Sequence, residues 1–255
     1  MTLTPKIYVL VTTLLISTCF GTMASASTNP TRRSVVQLAR LQVSSNQIKN
    51  RTEMLNWARQ LRLRTSIEMT LRPTLVRASN RRLFRYPLLI LRGDRSFKAL
   101  KAKSIRRLRT HLNSGGMLIV DDAALTGPSA GFHRDIQRLA KSVLNRPIVP
   151  IPKSDVVYRT FYRLRRALGR RADTDRLYGV QIKKRWALIY SRNDLLGAFQ
   201  MDPRGGFAHA AVPGGRAQRE QAWRLAINLV IYSLCLDYKD DQTHVQYLLR
   251  RRRGR

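Results

Sequence analysis

The chain predicts an α/β fold in which a mainly parallel sheet is wrapped by helices on both faces and carries an antiparallel pair at one edge. Three observations lead there. The runs LLILRGD (88–94) and MLIVDD (117–122) are apolar without alternation, as strands covered on both faces are. Amphipathic helical stretches alternate with them, and parallel strands need crossovers of that length. Two later strand-like runs, YGVQI and WALIYS, are joined only by Lys183-Lys184-Arg185, which fits a hairpin.

Along the chain, residues 1–26 come first, with Lys6, an apolar stretch from Ile7 to Phe20 and then Ala24-Ser25-Ala26. This reads as a secretory signal cleaved near Ala26. An uncleaved anchor is the runner-up, and the threonines and serines within the stretch leave it short for a membrane span. Ile16-Ser17-Thr18-Cys19 is a weaker alternative, a lipoprotein box with Thr18 where a smaller residue is usual. Residues 27–34 form a lead, and one α/β domain is expected over 35–248.

Within that domain VVQLARLQV (35–43) reads as a strand. A helix follows, with Asn50 and Glu53 in capping-box spacing and Met54, Trp57, Ala58 and Leu61 at helical intervals. After the strand at 88–94, a helix over about 98–113 sets Ile105, Leu108 and Leu112 on one face and stops at Asn113-Ser114-Gly115-Gly116. Beyond the strand at 117–122, Phe132, Ile136, Leu139 and Val143 mark a third helix ended by Arg146-Pro147. The segment 192–215 is rich in Gly, Pro and polar residues and reads as a surface loop. An apolar helix over about 216–236 is expected to pack centrally, and a basic tail, 249–255, to be disordered. No internal repeat is found.

The chain has 255 residues, 44% of them apolar, enough for a sizeable core, and a formal net charge of +33. Arginine supplies 38 of the 48 basic residues, and its fork suits phosphate and carboxylate. A polyanionic partner follows. Export argues against nucleic acid and toward lipid headgroups, acidic envelope polymers or a protein partner, with peripheral contact at a membrane surface and Arg250, Arg251, Arg252 and Arg253 as an anion-binding run. Signal removal would leave Cys235 as the sole cysteine, which excludes an internal disulfide and a cysteine metal cluster. Within its apolar run Cys235 is expected to behave as a small core hydrophobe. No cofactor motif is present.

The residues that could carry chemistry cluster after the strand at 117–122. Gly127-Pro128-Ser129-Ala130-Gly131 spells the G-x-S-x-G of a hydrolase elbow. A true elbow places its serine directly after the strand, and here six residues, Ala123 to Pro128, intervene, so Ser129 reads as a helix cap. Asp121 and Asp122 stand at a strand's carboxyl end, where open α/β sheets bind ligands. Adjacent on an extended segment, they point to opposite faces and cannot form a facing pair. Hydrogen bonds to the following loop, or pairing with arginines, are the expected use of both. Asn193, Asp194, Asp202 and His209, with Gly205-Gly206, could cover the same edge. His133 and His209 lack metal-ligand spacing, so no metal site is expected.

The order of LFRYPLLILRGDRSF (83–97), LNSGGMLIVDD (112–122), FHRDIQRL (132–139), SDVVYRTFY (154–162), WALIYSRNDL (186–195) and RLAINLVIYSLCLDYKDDQTHV (224–245) resembles a bacterial family of unknown function, numbered 4159 among such domains. The resemblance covers about 35–248. It implies a flavodoxin-like three-layer sandwich, similar to the class I glutamine amidotransferase superfamily, in proteins often exported or membrane-attached, and it implies no activity. Arg92-Gly93-Asp94 stands where the family commonly has a Gly-His pair, and Arg159 where another His is common. Amidotransferase chemistry needs a cysteine on a strand-to-helix elbow, and Cys235 is on a helix. The expectation is an exported, non-catalytic binding or scaffold module of the cell envelope. The alternatives are a hydrolase or carbohydrate-active enzyme using Asp121 or Asp122 with a His, and a polyanion binder acting through its arginine surface.

Overall fold

A computed structural model describes residues 35–43 and 52–252, with side chains through Cys235. Residues 1–26, expected as a signal, Cys19 among them, together with the lead expected over 27–34, Asn50 and Arg253, lie outside the described residues. In chain order the elements are β1 (Ala39–Gln42), α1 (Thr52–Arg64), β2 (Thr74–Arg77), β3 (Leu88–Gly93), α2 (Ala102–Asn113) and β4 (Met117–Asp122). They continue with α3 (Ala130–Leu144), β5 (Val149–Pro150), β6 (Tyr178–Ile182), β7 (Arg185–Ser191) and α4 (Gly215–Arg252). The sheet order is β2-β1-β3-β4-β7-β6-β5. Pairs from β2 through β7 are parallel, while β6 runs antiparallel to both β7 and β5. This is the three-layer flavodoxin-like α/β architecture.

β3 and β4 are buried at every position, as strands covered on both faces must be. Their period of two divides the core. Leu38, Ile90, Ile119 and Ile189 face Trp57, Leu61 and Ile227 of α1 and α4. Leu89, Leu91, Leu118 and Val120 face Leu108, Leu112, Ile136 and Leu139 of α2 and α3. α2 and α3 keep the expected faces. α3 begins at Ser129 and ends at Asn145 in the left-handed region. Behind α2, Gly116 leaves room for the His111 ring, which a Cβ there would overlap.

Several expectations change. The 35–43 strand shortens to β1, with Val36 in an isolated bridge to Met69. β2 has no counterpart in the sequence pattern: of its four residues only Val76 is buried. The YGVQI/WALIYS hairpin forms, but β5 lies outside it as the outermost strand. Residues 193–199 are buried and include a 3-10 turn, Leu196–Phe199, so the segment expected as a surface loop begins by diving under the domain. Its polar groups find partners there, which is what allows a polar sequence to be buried. Glu53, expected in capping-box spacing with Asn50, is buried and pairs with Arg40. Cys235 is exposed rather than in the core. The α4 backbone runs through Arg252, across residues expected as a disordered tail. Among the described residues no helix is long and apolar enough to cross a membrane.

The parallel strands present their carboxyl ends to one edge. From β1 the chain moves to β2 on one side, then returns to β3 on the other. That reversal makes the space above β1 and β3 a switch point, where open α/β sheets take ligands.

Candidate functional site at the carboxyl edge of the sheet

Over β3 and β4 the edge is a sealed layer of charge. The register pairs Arg92 with Asp121, and both project to the α1 and α4 side. The two oxygens of Asp121 accept the amides of Leu195 and Leu196 at 2.6 and 3.0 Å, with Arg92 Nε 3.4 Å from Oδ2. Asp194 follows β7 at φ 50°, a left-handed conformation that Asp tolerates better than most residues. Its Oδ1 accepts from Arg92 Nη2 at 2.8 Å and its Oδ2 from Arg170 Nε. Oδ1 also accepts the Gly197 amide at 3.2 Å. Gly197 must lack a side chain, since a Cβ would overlap that carboxylate. Arg92 also lies 4.0 Å from Glu53, which pairs with Arg40.

Three guanidinium groups and three carboxylates therefore meet, and the three acids are fully buried. Burial, then the nearby Asp194, pushes the Asp121 carboxyl up to about 7, against the pull of Arg92 and the two amides. Burial acts on Asp194 in the same direction, but Arg92 and Arg170 outweigh it and hold that carboxyl below its ordinary range. Burial alone would lower Arg92, and Asp194 with Asp121 reverses the sign.

Asp122 points to the opposite face, as adjacent strand residues must. It accepts the Ala124 amide at 3.1 Å and the Ser129 amide at 2.8 Å, and the Tyr190 hydroxyl donates to it at 3.4 Å. Burial raises its carboxyl. Ser129 Oγ in turn accepts the Phe132 amide at 3.2 Å, which makes it the N-cap of α3. His133 stacks on Tyr190 and its ring bonds Gln137; its backbone amide donates to the Ser129 carbonyl as part of the helix, and no described histidine ring is bonded to Ser129 Oγ. The elbow spelling is a cap.

Asn193 donates to the carbonyls of Ala167 and Thr174 and accepts the Thr174 amide, which pins the 167–174 segment. Arg170 extends that link to the carbonyls of Ala124 and Leu125. His209, half-buried, lies on the rim. Burial and Arg170 lower its pKa while Asp194 acts the other way, and its carbonyl accepts from Arg219. Asp202 closes an exposed turn by accepting the Arg204 and Gly206 amides. Arg159 is exposed. Arg250, Arg251 and Arg252 continue the α4 backbone.

The structure thus joins Asp121 and Asp194 through Arg92, sets Asp122 and Ser129 on the far face, and leaves His209 peripheral. Sequence reasoning misses Arg40, Glu53 and Arg170. For the strand arginines the signal that could have found them is a charged residue inside an otherwise apolar strand, LARLQ or LLILRG: a charge there needs a buried partner. Among the described residues no three His, Cys, Asp or Glu side chains gather to hold a metal ion.

Beside this layer the edge opens. A groove of about 360 Å³ runs over the ends of β1 and β2 to the start of α2, with Arg77, Lys98, Lys101 and Ser104 among its lining residues.

A doubly wound α/β domain with a carboxyl edge half sealed by ion pairs and half open as a basic groove is the class this architecture defines. The model of the family described as Domain of unknown function (DUF4159) matches residues 37–234, and the chain belongs to that family. Comparison with curated proteins gave no match.

Proposed function

We propose that this protein is an exported, non-catalytic module of the cell envelope that binds an anionic component. The observation that carries this reading is the occupancy of the edge carboxylates. Asp121, Asp122 and Asp194 are fully buried, and each accepts hydrogen bonds from the protein's own amides. A hydrolase using Asp121 or Asp122 with a His would need a carboxylate within reach of substrate. Ser129 Oγ is likewise engaged at its helix. The open groove at this edge is lined by cations and by no acidic residue among the described residues, on a chain with net charge +33, and such a field captures anions at long range. The chemistry of the ligand is therefore anionic, in an envelope lipid headgroup, an acidic polymer or an acidic protein surface, with Arg250–Arg253 adding to the field. Likeness to the class I glutamine amidotransferase superfamily belongs to the same proposal and draws on the sheet order.

Flotation with vesicles of phosphatidylglycerol and of phosphatidylcholine, across a salt series, tests it. Binding to the first alone, fading as salt rises, is expected, because exposed charges are screened within about 8 Å at physiological ionic strength. Equal binding to both vesicles, indifferent to salt, overturns the reading. N-terminal sequencing of the exported protein should start just after Ala26.

A further inference from the structure

We propose that the groove over the ends of β1 and β2 is a phosphate-ester site, with the phosphate seated at the N-terminus of α2. This rests on the anion-binding reading and assigns it a place and a ligand class.

Three independent features converge. α2 has 12 residues and its N-cap is Lys101, whose side chain makes no capping bond. The amides of Ser104 and Ile105 already bond the Lys101 carbonyl. The amides of Ala102 and Lys103 have no acceptor among the described residues, and free amides at a helix N-terminus attract anions.

The second feature is Ser104 itself. It is only 7% exposed, it lines the groove, and its hydroxyl makes no hydrogen bond among the described residues. Polar side chains on residues this buried ordinarily find a partner, and here the side from which one can arrive is the groove.

The third is the charge around it. Arg77, Lys98 and Lys101 line the groove, and no acidic residue does among the described residues. Elsewhere at this edge arginines are matched by carboxylates, so the unmatched cations mark a different task. A phosphate offers three terminal oxygens to amides, hydroxyl and ammonium groups together, whereas a carboxylate offers two. The groove's 360 Å³ lies at the lower end of the roughly 300–1,000 Å³ typical of small-molecule sites, more than phosphate alone fills. Val43, Ala78 and Leu100 supply an apolar wall for the organic part of the ester. The position, bridging the ends of β1 and β2 and the loop after β3, is that of the switch point.

Calorimetric titration of the full chain with phenyl phosphate at fixed ionic strength is the test. One equivalent should bind saturably. Lys98→Gln/Lys101→Gln should weaken binding about tenfold or more and Ser104→Ala severalfold, since hydrogen bonds to charged groups are the strong ones. Lys141→Gln, on exposed helix surface away from the groove, should change nothing. Absence of saturable binding, or binding that the groove variants leave untouched, overturns the assignment. The same variants on vesicles containing phosphatidic acid, a phosphate monoester like phenyl phosphate, separate two sources of one chemistry. Weakened vesicle binding identifies a lipid headgroup, unchanged vesicle binding a soluble ester, and either supports the site. Retained vesicle binding without phenyl phosphate binding removes this inference alone, and loss of both removes the anion-binding reading with it.

Discussion

The two halves of the sheet's carboxyl edge use the same basic side chains to opposite ends. Over β3, β4 and β7, arginines are buried and each meets a carboxylate, Arg92 with Asp121 and Asp194 and Arg170 with Asp194, and on the same face the layer continues to the buried Arg40–Glu53 pair between β1 and α1. Over β1 and β2, Arg77, Lys98 and Lys101 border open space. The difference teaches that basic composition does not reveal what a cation does. In the first half the positive charge is a fixture of the fold, since removing one member of a buried pair strands the other. In the second it is free to meet something external.

Breaking the sealed half should have the largest effect. Arg92→Leu leaves Asp194 and Asp121 short of their shared partner, and stability should fall by about 3 to 5 kcal/mol, read from urea midpoints. A loss within the range of ordinary surface substitutions, about 0.5 kcal/mol, would mean that the two halves do not differ.

Next comes pH. Folded Asp121 keeps its proton to about 7, against an ordinary value of 3.8. Between those values the folded state holds more protons than the unfolded one, so this group's contribution is full below about pH 4 and is lost as pH rises through 7. Asp121→Asn removes that falling component. Relative to wild type, the variant should gain stability by up to about 1.4 kcal/mol per pH unit between pH 4 and 7. His111 works in the other direction: burial, then Arg185, lowers it from 6.5 to about 4, so its contribution is lost as pH falls through that window. Denaturation profiles of Asp121→Asn and His111→Gln should therefore depart from wild type with opposite slopes, and parallel profiles would remove Asp121 from the sealed layer.

Ser129 lies on the far face of β4 and sharpens the comparison from a neutral position. Ser129→Ala should lower stability by about 1 kcal/mol through loss of the α3 cap, with vesicle binding unchanged. Labelling of wild type by a serine-hydrolase probe, lost in that variant, would instead make Ser129 a nucleophile. Smallest of all, Lys98→Gln should shift thermal stability by no more than about 0.5 kcal/mol, since its effect belongs to binding.

Much of the sealed half is legible in the sequence. The strand pattern sets Asp121 and Asp122 at a carboxyl end, with arginine pairing or loop bonds as their use, and the distance of Ser129 from that strand marks it as a cap. Unbroken apolar runs declare β3 and β4, and helical spacing with stop signals declares α2 and α3. What escapes lacks a local signal. β2 is four residues long with one buried side chain, too short for a period to show. The 192–200 segment has turn-forming residues and reads as a loop, yet Asn193 and Asp194 are buried because Ala167, Thr174, Arg92 and Arg170 supply their partners. Those partners lie 19 to 102 residues away, beyond the reach of any pattern along the chain. The groove leaves no trace in the sequence for the same reason, since it gathers side chains from three separate connections.

Beyond stability, the matched interior changes how the molecule behaves as a colloid. Among the described residues, five of the chain's 15 acidic side chains, Glu53, Asp121, Asp122, Asp135 and Asp194, are buried, and so are five arginines, Arg40, Arg92, Arg170, Arg171 and Arg185. This interior subtracts equally from both signs, so among the residues whose side chains are described seven acidic residues stand outside it against 32 basic ones. That outer population is basic in a ratio steeper than the composition of the chain, with 48 basic residues to 15 acidic, suggests. Repulsion between copies keeps such particles apart in dilute salt, and multivalent counterions, by bridging them, become the solutes that decide whether the protein stays dispersed or separates from solution.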